Sequence, residues 1–419
     1  MRRTILWMLM LLALTTRAQR TVVSGLVTDA TNGEPLAGAS VTMDSLQVVT
    51  NDDGCFTLKS DALGQTLTVT HVGYRSQRIN VATTGRAGTP AEAQQVRVRL
   101  QPASIALQEV LVTTENARDL VRSAIRLIPR NYSTKAELHQ CFYREMVMKC
   151  QNYISVAEGV IDMYKTDYRR GAGRDRVAIS KGRRLLSPKR SDTVSVKVMG
   201  GPVTALQLDV VKNTEFLLNN EELDLYDMKM EQPTTIGDRA QYVVSISPRV
   251  VMPYALYYGR LYIDQQTRAF TRAELSLDMS DRAKATNVML VKKPATLRFK
   301  PKELSCVVDY RLCDDGMTRI SYVRTTFRFN CDWRRRLFAT SFAAFCEMAV
   351  TSTADGEARP IQGRASFDQR DAFFDKVDYF LDPAFWQDYN IIEPTESLDK
   401  AVGRLLKKHG VEKNEKMRK

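Results

Sequence analysis

The residue types that do covalent or metal chemistry are few and scattered in this 419-residue chain, which has only three histidines: His71, His139 and His409. A hydrolytic zinc site takes two histidines and a glutamate, the first pair spaced H-x-x-E. His409-Gly410-Val411-Glu412 has that spacing, but no histidine follows to complete a site, so it reads as coincidence. His71 and His139 have no carboxylate three residues on and read as structural. There is no G-x-S-x-G elbow, no G-x-x-x-x-G-K-[ST] phosphate loop and no G-x-G-x-x-G turn. The carboxylates show no spacing that singles out an acid/base pair. The expectation is a chain without cofactor, resident metal or recognised catalytic residue, with a hydrolase of unrecognised site as one alternative.

Binding chemistry is easier to find. Arg169, Arg170, Arg174, Arg176, Lys181, Arg183 and Arg184, followed by Lys189 and Arg190, surround a single acid, Asp175. Read as a loop, this run either attracts phosphate-bearing surfaces or is a solvated insertion. The formal charge is +13, and +10 once Arg2, Arg3 and Arg17 are removed with a leader. That balance favours anionic surfaces, and in an exported chain these are lipid headgroups or acidic glycans rather than nucleic acid. Seven cysteines leave at least one thiol unpaired; Cys141 with Cys150, Cys306 with Cys313, and Cys331 with Cys346 are near enough in sequence to bridge, or are small buried apolar residues. No C-x-x-C pair occurs.

The elements that would carry these residues fall into two groups. From Val22 to Leu100 short alternating runs are punctuated by Asn32-Gly33 and Asp53-Gly54, which supply positive-φ turn positions. Runs at Val23–Val27, Ala39–Thr42, Phe56–Leu58, Leu67–Val72, Gln77–Val81 and Val96–Leu100 predict an antiparallel sandwich of about seven strands. The order V-x-G-x-V-x-D-x-x-x-G-x-P-L-x-G-A-x-V, then T-N-D-D-G-x-F, then V-T-H-V-G-Y resembles the carboxypeptidase regulatory-like domain, a transthyretin-like sandwich. The resemblance implies a fold and a cell-envelope setting, often at the front of TonB-dependent receptors, and no peptidase activity. Leu107 to Thr113 look like the segment joining such a module to its receptor.

Arg2-Arg3, the apolar run Ile5 to Leu14 and Thr16-Arg17-Ala18 read as a secretory signal cleaved after Ala18. The domain expectation is signal peptide 1–18, sandwich 21–101, linker 102–115 and a β-rich region 116–419. In that region Asn116 caps a helix through Leu120 and Ile125, ended by Pro129. Long strands then follow from Cys141 to Val350, consistent with one large curved antiparallel sheet. The hairpin Gly259-x-Leu261-x-Ile263-Asp264-x-x-Thr267, closing on Arg272-Ala273-Glu274, resembles one in the lipoprotein-carrier (Lol-type) fold, where a half-barrel sheet wraps a helix around an apolar cleft. That resemblance makes Leu120, Ile125, Leu261, Ile263 and Leu275 the ligand-facing set; the same five are also ordinary core positions. The aromatics of Phe380 to Tyr389 either stack on a glycan or dock a last helix, carrying Leu398, Ala401, Val402, Leu405 and Leu406 on one face, onto the sheet.

The fold class expected is mainly β: a seven-stranded sandwich followed by a larger curved sheet with a few helices. The function expected is a non-catalytic envelope binding or carrier protein, periplasmic or at the periplasmic face of the outer membrane. Its partners would be an envelope protein, a lipid, an acyl chain or a glycan, with peripheral membrane association. An accessory subunit of an outer-membrane assembly is the alternative.

Overall fold

A computed structural model describes residues 21–61, 66–81, 94–103, 116–187, 198–292, 294–333, 339–379, 386 and 389–417. The signal segment, Leu107–Thr113, Lys189, Arg190 and Phe380–Phe385 lie outside the described residues.

Alternation builds the first layer. Strands β1 (Thr21–Asp29), β2 (Ser40–Met43), β3 (Leu46–Val49), β4 (Cys55–Ser60), β5 (Thr66–Thr70), β6 (Gln77–Asn80) and β7 (Gln94–Leu100) form two sheets, ordered β4-β1-β7 and β3-β2-β5-β6. Val23, Val27, Leu58 and Val98 from one sheet meet Val41, Leu67 and Val69 from the other in a closed core. Gly33 and Gly54 hold φ of 77° and 74°, as their turns require. Two details differ from the sequence reading. β7 runs parallel to β1, because it returns from the second sheet onto the edge that β4 leaves free. β3 carries no flanking glycine; the Asp44-Ser45 turn before it uses an aspartate at φ 49°, a position aspartate tolerates by bonding locally.

In the second layer Asn116 caps helix α1 (Ala117–Arg126), its side-chain oxygen accepting the Asp119 N–H at 2.9 Å. Pro129 does not end this helix. Leu127 does, and Pro129 sits in the first turn of a short helix α2 (Ile128–Asn131), where a missing N–H breaks no bond.

The remaining strands are β8 (Glu137–Lys149), β9 (Asn152–Lys165), β10 (Arg176–Leu186), β11 (Tyr226–Met230), β12 (Thr234–Ile236), β13 (Arg239–Pro248), β14 (Tyr257–Asp264), β15 (Phe270–Leu277), β16 (Leu297–Leu312), β17 (Thr318–Trp333), β18 (Thr340–Thr353) and β19 (Asp378–Tyr379). They join in one sheet ordered β11-β13-β14-β15-β16-β17-β18-β8-β9-β10-β19, with β12 also on β13. Its pairings are antiparallel except for the two-residue β10–β19 contact. One continuous core joins Leu120 and Val121 of α1 to apolar residues of β8 through β18, so the sheet curls around the helix. The segment 198–225, with helices α3 (Gly201–Gln207) and α4 (Asn220–Leu223), fills the rest of that inner face through Leu206, Val210, Val211, Leu217 and Leu218.

The basic run is a strand where a loop was expected. β10 pairs along β9, and its cations are held from the flanks: Arg183 bonds Glu158 at 3.0 Å and lies 4.8 Å over the Trp386 ring, Arg184 donates to the Phe374 carbonyl at 2.6 Å, and Lys181 lies over Tyr389. Gly159 and Gly182 face each other across β9 and β10, leaving room for the Phe373 and Val377 side chains to cross.

The outer face is covered by two things. The sandwich contributes Val49, and the C-terminal segment contributes Trp386, Ile391 and Ile392, all packed on Phe142, Val160, Tyr322 and Ala349. Helix α6 (Glu396–Met417) continues this cover, Leu398 against Met146 and Val156; its Leu398, Ala401 and Leu405 are buried, whereas Leu406 is 38% exposed and departs from the expected apolar face. A remaining helix, α5 (Arg282–Met289), packs beside the start of β16. All seven cysteines are free thiols, and four are buried. Cys331 and Cys346 cannot bridge: Cys331 pairs with Thr340, six residues before Cys346 on the same strand, ~20 Å at strand rise.

Candidate functional site

The sandwich is fixed to the sheet at two separated places. At one, Asp52 accepts both Arg324 guanidinium nitrogens at 2.5 and 3.0 Å, Asn390 exchanges two hydrogen bonds with the Lys59 backbone, and Asn51 donates to the Pro394 carbonyl at 2.9 Å. At the other, the β5–β6 turn meets the β12–β13 turn: Gly73 N–H donates to the Thr235 carbonyl at 2.8 Å and Ser76 N–H to Asp238 at 2.7 Å. Between these anchors the two surfaces diverge and enclose a cleft of about 850 Å³.

Strand alternation decides its chemistry. Inward Val41, Leu67 and Val69 make the sandwich core, so Ser40, Thr42, Thr66, Thr68 and Thr70 point out as a row of hydroxyls along the cleft. The facing wall carries ion pairs: Arg272 with Asp309 at 2.7 Å and with Glu274, Arg239 bidentate to Asp264 at 2.6 and 2.7 Å, and Arg319 shared by Glu137 and Asp315 at 2.6 Å each. Burial pushes the Asp309 carboxyl up, which Arg272 only partly offsets. The hydrogen bonds from Arg319 hold Asp315 down at about 2. Six basic and eight acidic side chains line the cleft, so in a chain of charge +13 this surface carries no excess of cations.

One group behind the wall is unpaired. Gln47, 2% exposed, has its amide nitrogen buried and without a hydrogen-bond partner among the described residues. A buried donor left alone costs about 1–3 kcal/mol. With so little surface it lies behind the cleft wall, out of reach of the open cleft.

Leu120, Leu261, Ile263 and Leu275 meet in the inner core, each at most 1% exposed, with Ile125 packed at its edge. In this conformation their surfaces are taken up by one another and by segment 198–225. Arg169, Arg170 and Arg174 stand on the exposed turn before β10, Arg176 bonds the Gly173 and Asp175 carbonyls, and Lys181, Arg183 and Arg184 face the C-terminal segment; the seven do not converge on one surface. His139 is buried, its Nδ1 2.9 Å from the Thr353 hydroxyl, and burial lowers its pKa to about 4. His71 lies in the cleft wall with its ring nitrogens against two backbone carbonyls. Among the described residues no group of three or more His, Cys, Asp or Glu is placed to hold a metal ion.

The hairpin motif explains itself in this setting. A Cβ on Gly259 would fall 1.8 Å from the Glu274 carbonyl oxygen, Leu261 and Ile263 enter the core, and Asp264 accepts the Gln266 and Thr267 N–H groups to close the turn.

Residues 23–112 match the CarboxypepD_reg-like domain. The domain's Gly and Asp turn residues are the ones that shape the sandwich, and its β2–β5 face is one wall of the cleft. No curated protein matches the chain. Similar solved structures include a domain from Vibrio parahaemolyticus assigned to an outer membrane lipoprotein-sorting protein, with 9% identity, 59% of this chain and 94% of that one covered, and a TM-score of 0.29. A LolA superfamily protein from Nitrosomonas europaea has 12% identity over 58% and 96%, with a TM-score of 0.19. Likenesses this slight carry no weight on function.

Asp264 and Thr267 were read only as part of the turn and Arg272 had no role, and the resemblance drew attention to the opposite face of the same strands. Gln47 and Arg319 carried no sequence signal. The polar alternation Ser40-x-Thr42 with Thr66-x-Thr68-x-Thr70 is a signal that could have found the cleft and was not used.

Proposed function

We propose that this is an exported, cell-envelope binding protein whose ligand lies in the cleft between the CarboxypepD_reg-like domain and the large sheet, and that the ligand is hydroxyl-rich and close to neutral, as a glycan is. One observation carries the reading: a preformed cleft of about 850 Å³, walled by hydroxyls on one side and by Arg–carboxylate ion pairs on the other. Paired Arg and Asp present fixed donors and acceptors without net charge, which suits sugar hydroxyls better than phosphate. An acyl chain would leave those groups desolvated and unmatched, at a cost of several kcal/mol. Anchoring at two places keeps the cleft open before binding, so little ordering is lost when a ligand enters.

The test uses the mature protein on an array of immobilised neutral and acidic oligosaccharides, beside Thr68→Trp, which fills the cleft from its outward row and leaves Leu67 and Val69 in the core. Binding of a neutral glycan by the natural protein, lost in Thr68→Trp with its melting temperature unchanged, supports the reading. Equal binding by both proteins places the ligand elsewhere, and retention of acidic glycans alone contradicts the neutral-ligand assignment.

A further inference from the structure

The end of the large sheet remote from the cleft carries an exposed apolar tip. Between β13 and β14 the chain runs Arg249-Val250-Val251-Met252-Pro253-Tyr254, with Val251 90% exposed and Tyr254 43%. Beside it α5 leads into Val288, Leu290, Val291 and Lys292, with Val291 83% exposed. The bases of the two loops are joined: Ala255, Leu277 and Ala285 form one buried cluster against which Met289 packs, and the Asp278 N–H bonds the Leu256 carbonyl. The loops thus leave a joined base, and while Met252 packs back on the core, Val251 and Val291 stay almost wholly in solvent.

Basic residues outnumber the acids Asp278 and Asp281 in and beside these loops. Arg249, Arg282 and Lys292 are exposed at the same end, Lys284 is half-buried beside Asp281, and Arg298 follows at the start of β16. Exposed valines and a tyrosine among arginines and lysines suit an anionic bilayer surface: the apolar tips enter the headgroup boundary, and the cations meet lipid phosphates. A core role is absent for Val251 and Val291, and a soluble surface gains nothing from aliphatic side chains so far in water.

We infer that these two loops dock the protein on an anionic lipid bilayer. The cleft then points away from the membrane, since Asp264 and Arg311 of the cleft wall lie at the far ends of β14 and β16, the strands that leave the tip. β16, with 16 residues, spans ~50 Å at strand rise, which sets the scale of that separation. This proposal is independent of what the cleft binds.

Flotation of the mature protein with vesicles of phosphatidylethanolamine and phosphatidylglycerol tests it, with the double variant Val251→Asp, Val291→Asp as comparison. Both side chains are solvated, so the variant keeps its melting temperature. The expected result is co-flotation of the natural protein and a loss of about tenfold or more in the variant, as burial of two valines is replaced by two repelled carboxylates. Equal flotation of both would overturn the proposal, because diffuse positive charge would then suffice. No flotation of the natural protein would overturn it too. So would a dimer, seen by sedimentation, that the variant dissolves, since the tips would then cover each other.

Discussion

Glu145 lies on β8 with no cation at its carboxyl among the described residues; the Tyr143 hydroxyl donates to it at 2.7 Å, and burial pushes its pKa up to about 8. The folded protein therefore keeps this proton at pH values where the unfolded chain, titrating near 4.5, has lost it. Its stability contribution is complete below pH 4.5 and falls as pH rises to about 8. Glu145→Gln should remove that slope: the difference in melting temperature between variant and natural protein grows in the variant's favour from pH 5 to 8, and a difference independent of pH would contradict it. His139, lowered to about 4 by burial, acts in the opposite sense between pH 4 and 6.5, so only the difference between the two proteins isolates Glu145. None of this was legible in sequence. A glutamate two residues after a tyrosine on a strand looks like any half-exposed pair, and only the curl of the sheet buries both.

Segment 198–225 is pinned to the sheet by buried charge. Asp209 accepts Lys165 Nζ at 2.7 Å and the Tyr168 and Tyr310 hydroxyls at 2.9 and 2.8 Å, while Lys212 bonds Asp175 at 2.7 Å. Asp209→Ala leaves two buried hydroxyls without their acceptor and the Lys165 ammonium with only its longer 3.4 Å contact to Asp175. A loss of about 3–5 kcal/mol in denaturant unfolding is expected, and a loss under 1 kcal/mol would show that the network does not hold the segment. The sandwich strands were legible because glycine turns and period-two alternation coincide there. β10 was not: its fully buried apolar positions are reduced to Val177 and Leu185 near the ends, and its cations are satisfied by Glu158, Trp386 and the Phe374 carbonyl, none of them near in sequence. β3 escaped because aspartate rather than glycine turns the chain before it. α1 was legible from its cap and apolar spacing, though its end was misplaced at Pro129.

The two sheets behave as one body because the C-terminal segment crosses both. Trp386, Ile391 and Ile392 bury themselves against the outer face, and Asn390 and Pro394 bond the sandwich. Truncation after Tyr379 should replace one calorimetric transition with two, the sandwich melting separately; a single remaining transition would mean that the Gly73 and Ser76 turn, the Asp52–Arg324 bridge and Val49 together suffice. At this scale the sequence shows a sandwich, a long-stranded sheet and an aromatic tail, but not their stacking, since no local pattern says which face a remote element will cover. The central claim is that the cleft, and not the helix-lined inner face, holds the ligand. Native mass spectrometry of the mature protein taken gently from its own envelope, beside Thr68→Trp, tests it most directly. A bound mass that denaturation releases as carbohydrate, present on the natural protein and absent from Thr68→Trp, is the predicted result. A lipid or acyl mass retained equally by both proteins would contradict it and return the site to Leu120, Leu261 and Ile263.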